Sequence, residues 1–145
     1  GRLIGGNAGI LVTRVIYVKH GDAKTFVIVD AGMNDLIRPT LYDAWHDIIP
    51  VRQSAGRQKI VADVVGPVCE TGDYLAHGRE IMEPRAGELL CVLTAGAYGA
   101  VQSGAYNTRP LIPEVLVDGD RFAVIRPRPS VAALIAQDHV PAWLS

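Results

Sequence analysis

Alternation of apolar and polar positions dominates the first third of the chain. Residues 10–19 alternate and are rich in β-branched side chains (Ile10, Val12, Val15, Ile16, Val18), the period of a half-buried strand. Polar residues 19–24, with Gly21 among them, read as a hairpin loop, and residues 25–30 (Phe26, Val27, Ile28, Val29) as its return strand. Further apolar runs predict strands over 48–51, 60–65, 89–93 and 111–117. The last is followed by the turn Asp118-Gly119-Asp120 and a return strand over 122–126. Gly66-Pro67 permits a bend before Cys69. Two segments read as short helices. One spans 36–45, with Asn34 or Asp35 as its cap and Pro39 tolerated in its first turn; the other spans 131–137 behind Ser130. Residues 5–9 read as a glycine-rich turn, 52–59 as an exposed loop, 74–83 as irregular, 84–88 as a turn and 106–110 as a loop. About seven strands at hairpin spacing with two or three short helices predict a mainly β fold, a Greek-key-like barrel or sandwich, in one domain over residues 1–145.

Composition narrows the function classes. With 49% apolar and 20% charged residues, the 145-residue chain can bury a core of its own. A formal net charge of -1 gives no electrostatic footprint for nucleic acid or an anionic membrane. No apolar run is long enough to span a bilayer. Cys69 and Cys91 match neither a metal spacing nor a disulfide framework, which favours a reducing cytoplasm. Glycine-rich residues 5–9 lack the Walker and dinucleotide patterns, so a plain turn is the better reading. The chain opens on Gly1-Arg2 without Met, as a piece cut from something larger would.

Three stretches carry candidate chemistry. Cys69-Glu70-Thr71-Gly72-Asp73 sits at the end of a predicted strand and presents a polar tip on a rigid element. An adjacent carboxylate disfavours a thiolate, which suits Cys69 to giving a proton rather than attacking; equally, the stretch can be a half-buried Cys with solvated acids in a turn. Arg38 and Tyr42 lie four apart, on one face of the predicted helix. Together they can grip a carboxylate, or the Arg can simply pack along the phenol ring. Tyr98, among small residues 94–100, can hydrogen-bond a phosphate or carboxylate at the mouth of the segment, or pack in a tight turn.

Taken together and in order, these stretches resemble the C-terminal β-domain of the diaminopimelate decarboxylase family, pyridoxal-phosphate enzymes of the alanine racemase-like, fold-type III group. The resemblance rests on Gly1-Arg2, the run 29–39 (Val-Asp-Ala-Gly-Met-Asn-Asp-Leu-Ile-Arg-Pro) with Tyr42, the run 64–73 through Cys69-Glu70, Ala95-Gly96-Ala97-Tyr98-Gly99, and Tyr106-Asn107 with Arg109-Pro110. It covers nearly the whole chain. Thr71 stands where the family often has Ser, a change that keeps the hydroxyl.

The resemblance implies roles. Arg2, Arg38 and Tyr42 would hold the distal carboxylate of the substrate, and Glu70 its distal ammonium. Cys69 would be the catalytic acid that returns a proton to the α-carbon. Tyr98 would reach both the substrate and the phosphate of pyridoxal 5'-phosphate. The resemblance also implies a cofactor lysine outside this chain, on an N-terminal barrel domain, and a homodimer with active sites at the interface. There the Cys69-Glu70 pair would serve the partner subunit's site. Lys19, Lys24 and Lys59 are the only lysines and stand in strand-end or loop contexts, so the chain alone is expected to be inactive. An Arg grip together with Glu70 favours meso-diaminopimelate. The alternatives are a related decarboxylase for a carboxylated polyamine or diamino acid, and a non-catalytic dimerisation module.

Overall fold

The computed structural model describes residues 1–53 and 56–144, so residues 54–55 of the expected 52–59 loop lie outside the described residues. The chain divides into two compact units, Gly1–Ser103 and Gly104–Ser145. The first contains helix α1 (Arg2–Gly5), strands β1 (Leu11–His20) and β2 (Thr25–Val29), helix α2 (Arg38–Tyr42), and strands β3 (Ile48–Pro50), β4 (Lys59–Val65), β5 (Tyr74–Met82) and β6 (Leu89–Val92). The six strands form one mixed sheet in the order β3-β6-β1-β2-β4-β5. Only β2 and β4 run parallel within it; the other neighbours are antiparallel.

Strand β1 explains the curl of this sheet. Its first half pairs with β6 and its second half with β2, and the register shifts between Val15 and Tyr17 where the partner changes. A bulge increases local twist and bends the strand. The sheet therefore closes on itself until its edge strands β3 and β5 meet, giving a nearly closed, barrel-like form. Leu11, Thr13 and Val15 point inward from β1 while Val12, Arg14 and Ile16 point out, as the alternation predicts. Val27, Val29, Val64, Leu75, Leu90 and Val92 complete the interior.

The second unit holds the hairpin β7 (Glu114–Asp118) and β8 (Arg121–Arg126) and helix α3 (Val131–Ile135). Gly119 turns the hairpin at φ +62°, and Ser130 Oγ caps α3 by accepting from the Ala133 N–H at 3.0 Å, both as the sequence predicts. Strand β7 starts at Glu114 rather than 111 because Pro113 has no N–H to give a ladder. The expectation of a mainly β, barrel-like fold with a few short helices holds.

Two expectations fail. Residues 74–83, read as irregular, form the nine-residue strand β5. Leu75 and Ala76 are both buried, Gly78 sits at φ +52°, and the β4–β5 register shifts there, so the period of two is broken. A buried carboxylate holds this bulge: Asp63 Oδ1 accepts from the Gly78 N–H at 2.6 Å and Oδ2 from Lys24 Nζ at 2.9 Å. Helix α2 is shorter than 36–45 and is capped by neither Asn34 nor Asp35; its N-cap is Ile37, and it ends at Asp43 in the left-handed conformation, φ 52°. Asp35 instead accepts from the Gly32 N–H at 2.9 Å, closing the preceding turn. Residues 2–5, of which only Gly5 falls in the segment read as a turn, form the single helical turn α1.

Asp63→Ala leaves the Gly78 N–H and the bulge without an acceptor and is expected to cost about 1–3 kcal/mol in urea unfolding. Lys24→Ala, which removes one exposed partner and leaves His77 Nδ1 at 3.2 Å, is expected to cost under about 1 kcal/mol.

Candidate functional site

Four of the residues singled out in the sequence converge in the first unit. Arg38 is the first residue of α2 and Pro39 the second, where a missing N–H costs nothing. One turn later Tyr42 lies on the same face, and the Arg38 guanidinium carbon stands 5.7 Å from its ring centre. The Tyr98 ring centre is 5.9 Å from the same carbon. Tyr98 takes φ 63° and Thr94 φ 59°, so the loop after β6 holds two non-glycine residues in the left-handed region. Such strain persists only where the surroundings enforce it.

The glycine-rich segment 5–9 supplies the enforcement. The Ala95 N–H donates to Gly9 O at 2.9 Å and the Gly96 N–H to Gly6 O at 3.0 Å. A Cβ on Gly9 would lie 2.7 Å from the Gly96 Cα, and one on Gly96 would fall on the Gly5 carbonyl and, at 2.6 Å, on the Gly9 nitrogen. Two backbones are in direct contact, which only glycine permits. This seam docks the segment bearing Arg2 onto the loop bearing Tyr98. A Cβ at Gly1 would stand 3.6 Å from the Tyr98 hydroxyl. Residues 6–8 form a single 3-10 turn, and the glycines around it serve this backbone contact.

Two members of the cluster escaped the sequence reading. Gln102 Nε2 donates to the Tyr42 hydroxyl at 3.1 Å. His46 is 1% exposed, and its Nδ1 lies 2.9 Å from the Leu93 carbonyl. A carbonyl can only accept, so Nδ1 carries the proton. Nε2 then accepts from the Arg38 Nε–H at 3.4 Å. Burial chiefly, and the charges of Arg2, Arg38 and Arg79, push the His46 pKa below its ordinary 6.5 against the opposing pull of the Leu93 carbonyl. Because α2 ends at Asp43, helical spacing from Arg38 gives no signal for His46.

Cys69 and Glu70 lie on the turn between β4 and β5, both exposed. No described hydrogen bond, ion pair or ring contact joins them to the Arg38 cluster. The turn itself is tied to α2. Thr40 Oγ1 donates to the Gly72 carbonyl and the Tyr74 hydroxyl to the Pro39 carbonyl at 3.3 Å. Asp73, a solvated turn acid in one reading of the sequence, is buried. Its carboxylate accepts from the Met33 N–H at 2.6 Å and the Val68 N–H at 2.5 Å. Cys91 is a core residue, and burial raises its pKa.

Chemically, a guanidinium beside two phenols offers donors for an anionic group, a carboxylate or a phosphate. The lysines offer no equivalent for holding an aldehyde cofactor. Lys24 is paired with Asp63, Lys59 with Glu80 at 2.7 Å, and Lys19 is exposed on β1. The guanidinium and phenol hydroxyls present thus suit the anionic end of a group such as pyridoxal phosphate. Among the described residues no acidic, Cys or His cluster suits a metal ion, and no helix is long and apolar enough to cross a membrane.

Two outcomes test this geometry. A Cβ at Gly66 would collide with the Asp73 carboxylate. Gly66→Ala should therefore destabilise by about 1–3 kcal/mol in urea unfolding, with Gly104→Ala, which meets nothing within 4 Å, as the neutral control. For His46 the native pKa is the lowered one, so the unfolded chain binds more protons once the pH drops below 6.5. Its stabilising contribution is complete above that pH and is lost as the pH falls through the native value. Urea midpoints between pH 8 and 5 should fall more steeply for the wild type than for His46→Phe.

Comparison with known proteins gives one answer. The model of the pyridoxal-dependent decarboxylase C-terminal sheet domain matches residues 5–96. A diaminopimelate decarboxylase of Aquifex aeolicus is 58% identical over 128 residues, 88% of this chain and 30% of the relative. One from Zymomonas mobilis is 50% identical over 144 residues, 99% of this chain and 34% of the relative. The crystal structure of a diaminopimelate decarboxylase from M. jannaschii in complex with L-lysine superimposes with a TM-score of 0.93 at 35% identity, covering 100% of this chain and 33% of that one. The chain thus spans about a third of the length of the curated relatives it matches. By the matched family model, the nearly closed sheet and the identities along the chain, it belongs to the pyridoxal-dependent decarboxylases, as their C-terminal sheet domain.

Proposed function

We propose that residues 1–145 together are the C-terminal β-domain of a cytoplasmic diaminopimelate decarboxylase, the enzyme that releases CO2 from meso-diaminopimelate and leaves L-lysine. The observation that carries this reading is the Arg38 guanidinium with the Tyr42 and Tyr98 rings 5.7 and 5.9 Å from it, donors for an anion built on the sheet domain of a decarboxylase family.

The substrate is an amino acid at both ends. One end reacts, and the other must be recognised so that only one carboxylate leaves. Arg2, Arg38 and Tyr42 hold the distal carboxylate by charge-assisted hydrogen bonds, and Glu70 accepts from the distal ammonium. When bound, pyridoxal phosphate supplies the electron sink for the departure of CO2. Cys69 then gives its thiol proton to the α-carbon, and its exposure lets solvent restore that proton. Tyr98 donates its hydroxyl hydrogen to the phosphate and bounds the substrate. The lysine that attaches the cofactor lies outside this chain, on an N-terminal barrel domain. The enzyme acts as a homodimer, with Cys69 and Glu70 completing the partner subunit's site. Their position on a turn apart from the Arg38 cluster is compatible with that division.

Reconstitution tests the reading. This chain mixed with the separately produced barrel domain and pyridoxal phosphate should release CO2 from meso-diaminopimelate. Either half alone should not, nor should the mixture carrying Cys69→Ala. In the full-length enzyme, Arg38→Ala should lower kcat/KM for meso-diaminopimelate roughly 10- to 100-fold, the loss of charge-assisted hydrogen bonds to one carboxylate. Near-normal kinetics for Arg38→Ala, or faster turnover of a carboxylated polyamine than of meso-diaminopimelate, would remove the substrate assignment.

A further inference from the structure

We infer that His46 is a positioning residue for the carboxylate grip: its unprotonated Nε2 ties back the Arg38 Nε–H, so that the two terminal amino groups of the guanidinium meet the carboxylate end-on. The inference rests on the reading of Arg38 as the distal-carboxylate ligand.

The imidazole is fixed on every side that could let it turn. It is fully buried, and its Nδ1–H is held by the Leu93 carbonyl at 2.9 Å. Its own carbonyl accepts from Arg79 Nη1 at 2.5 Å, and the Arg79 guanidinium lies 3.3 Å from the centre of the Trp45 ring. The next residue is laddered too, since the Leu93 N–H donates to Asp47 O at 2.8 Å. With all of these engaged, Nε2 is a stationary acceptor aimed at one atom, the Arg38 Nε.

A free guanidinium offers a carboxylate two bidentate edges, one made of Nε and a terminal nitrogen, the other of both terminal nitrogens. Occupying Nε removes the first. The Tyr42 and Tyr98 rings lie 5.7 and 5.9 Å from the guanidinium carbon and border it. What remains is a single end-on presentation, set before a substrate arrives, and such preorganisation improves affinity by reducing what binding must order. The neutral state of His46 is part of the device. A second proton would turn Nε2 from acceptor to donor against Arg38. It would also add a cation facing Arg2 on α1, Arg38 on α2 and Arg79 on β5, with Asp47, bonded to the Trp45 indole N–H at 2.9 Å, as the acid alongside.

The test uses the full-length decarboxylase and two competitive ligands. L-lysine carries the carboxylate that the grip holds; 1,5-diaminopentane lacks it. His46→Phe keeps the ring and removes the acceptor. It should raise the inhibition constant of L-lysine about ten-fold or more and leave that of 1,5-diaminopentane within about two-fold, with the effect on meso-diaminopimelate in KM rather than kcat. His46→Gln, whose Oε1 can accept in place of Nε2, should recover most of the L-lysine affinity. Equal loss for both ligands, or no loss, overturns the inference. Should Arg38→Ala leave L-lysine binding intact, the grip itself is wrongly assigned; an effect of Arg38→Ala with none of His46→Phe defeats only the role of His46. A measurement on the wild type needs no variant to fold. With ¹⁵N-labelled histidine and arginine at pH 7, His46 should show a protonated Nδ1, a bare Nε2 and a scalar coupling from Nε2 to the Arg38 Nε. A protonated Nε2 overturns the proposal.

Discussion

Two amide hydrogens from different loops, those of Met33 and Val68, both donate to the carboxylate of Asp73. Asp73 is buried, so its carboxylate depends on these donors rather than on water. One loop leads from β2 into the helix with Arg38 and Tyr42; the other carries Cys69 and Glu70. The carboxylate is therefore the point where the two chemistry-bearing segments are set against each other. Its space is kept by glycine. A Cβ at Gly32 would lie 2.7 Å from Asp73 Oδ1, and one at Gly66 would overlap the carboxylate. Thr40 and Tyr74 add bonds between the same two segments and tie α2 to the Cys69 turn.

A second junction works in the same way with backbone alone. Gly9 and Gly96 allow two chain segments to touch, and that contact brings the residue after Gly1 to the loop of Tyr98. Around Arg38 the two junctions meet. The cationic centre is bordered by phenols, tied behind by His46, and accompanied by Arg2 and Arg79. Concentrating guanidinium groups in this way costs free energy unless an anion is expected. A neutral histidine among them is the arrangement that limits the cost and still supplies an acceptor.

Of the fold, the sequence made legible whatever depends on near neighbours. The β1–β2 and β7–β8 hairpins, the Ser130 cap and the buried β6 follow from alternation and turn chemistry. Strand β5 was not legible, because the acid that holds its bulge, Asp63, belongs to another strand. Nor was the true start of α2, since Asp35 closes its own turn instead of capping the helix. In the site, Arg38 and Tyr42 were visible as a helical pair and Tyr98 as a lone phenol among small residues. His46 and Gln102 were not, because each is defined by a partner on a different element.

By itself, then, the sequence determined the fold class, the family resemblance and the residue types available for gripping a carboxylate and moving a proton. These are encoded in periodicity, turn residues and motif order, which are properties of short stretches. Tertiary structure alone decided that Arg2, Arg38, Tyr42 and Tyr98 converge, that Asp73 is buried while Glu70 is exposed, and that His46 stands neutral behind Arg38. The physical reason is range. Burial, backbone-to-backbone contact at glycine and the direction of a pKa shift are set by atoms that meet only when distant segments fold together.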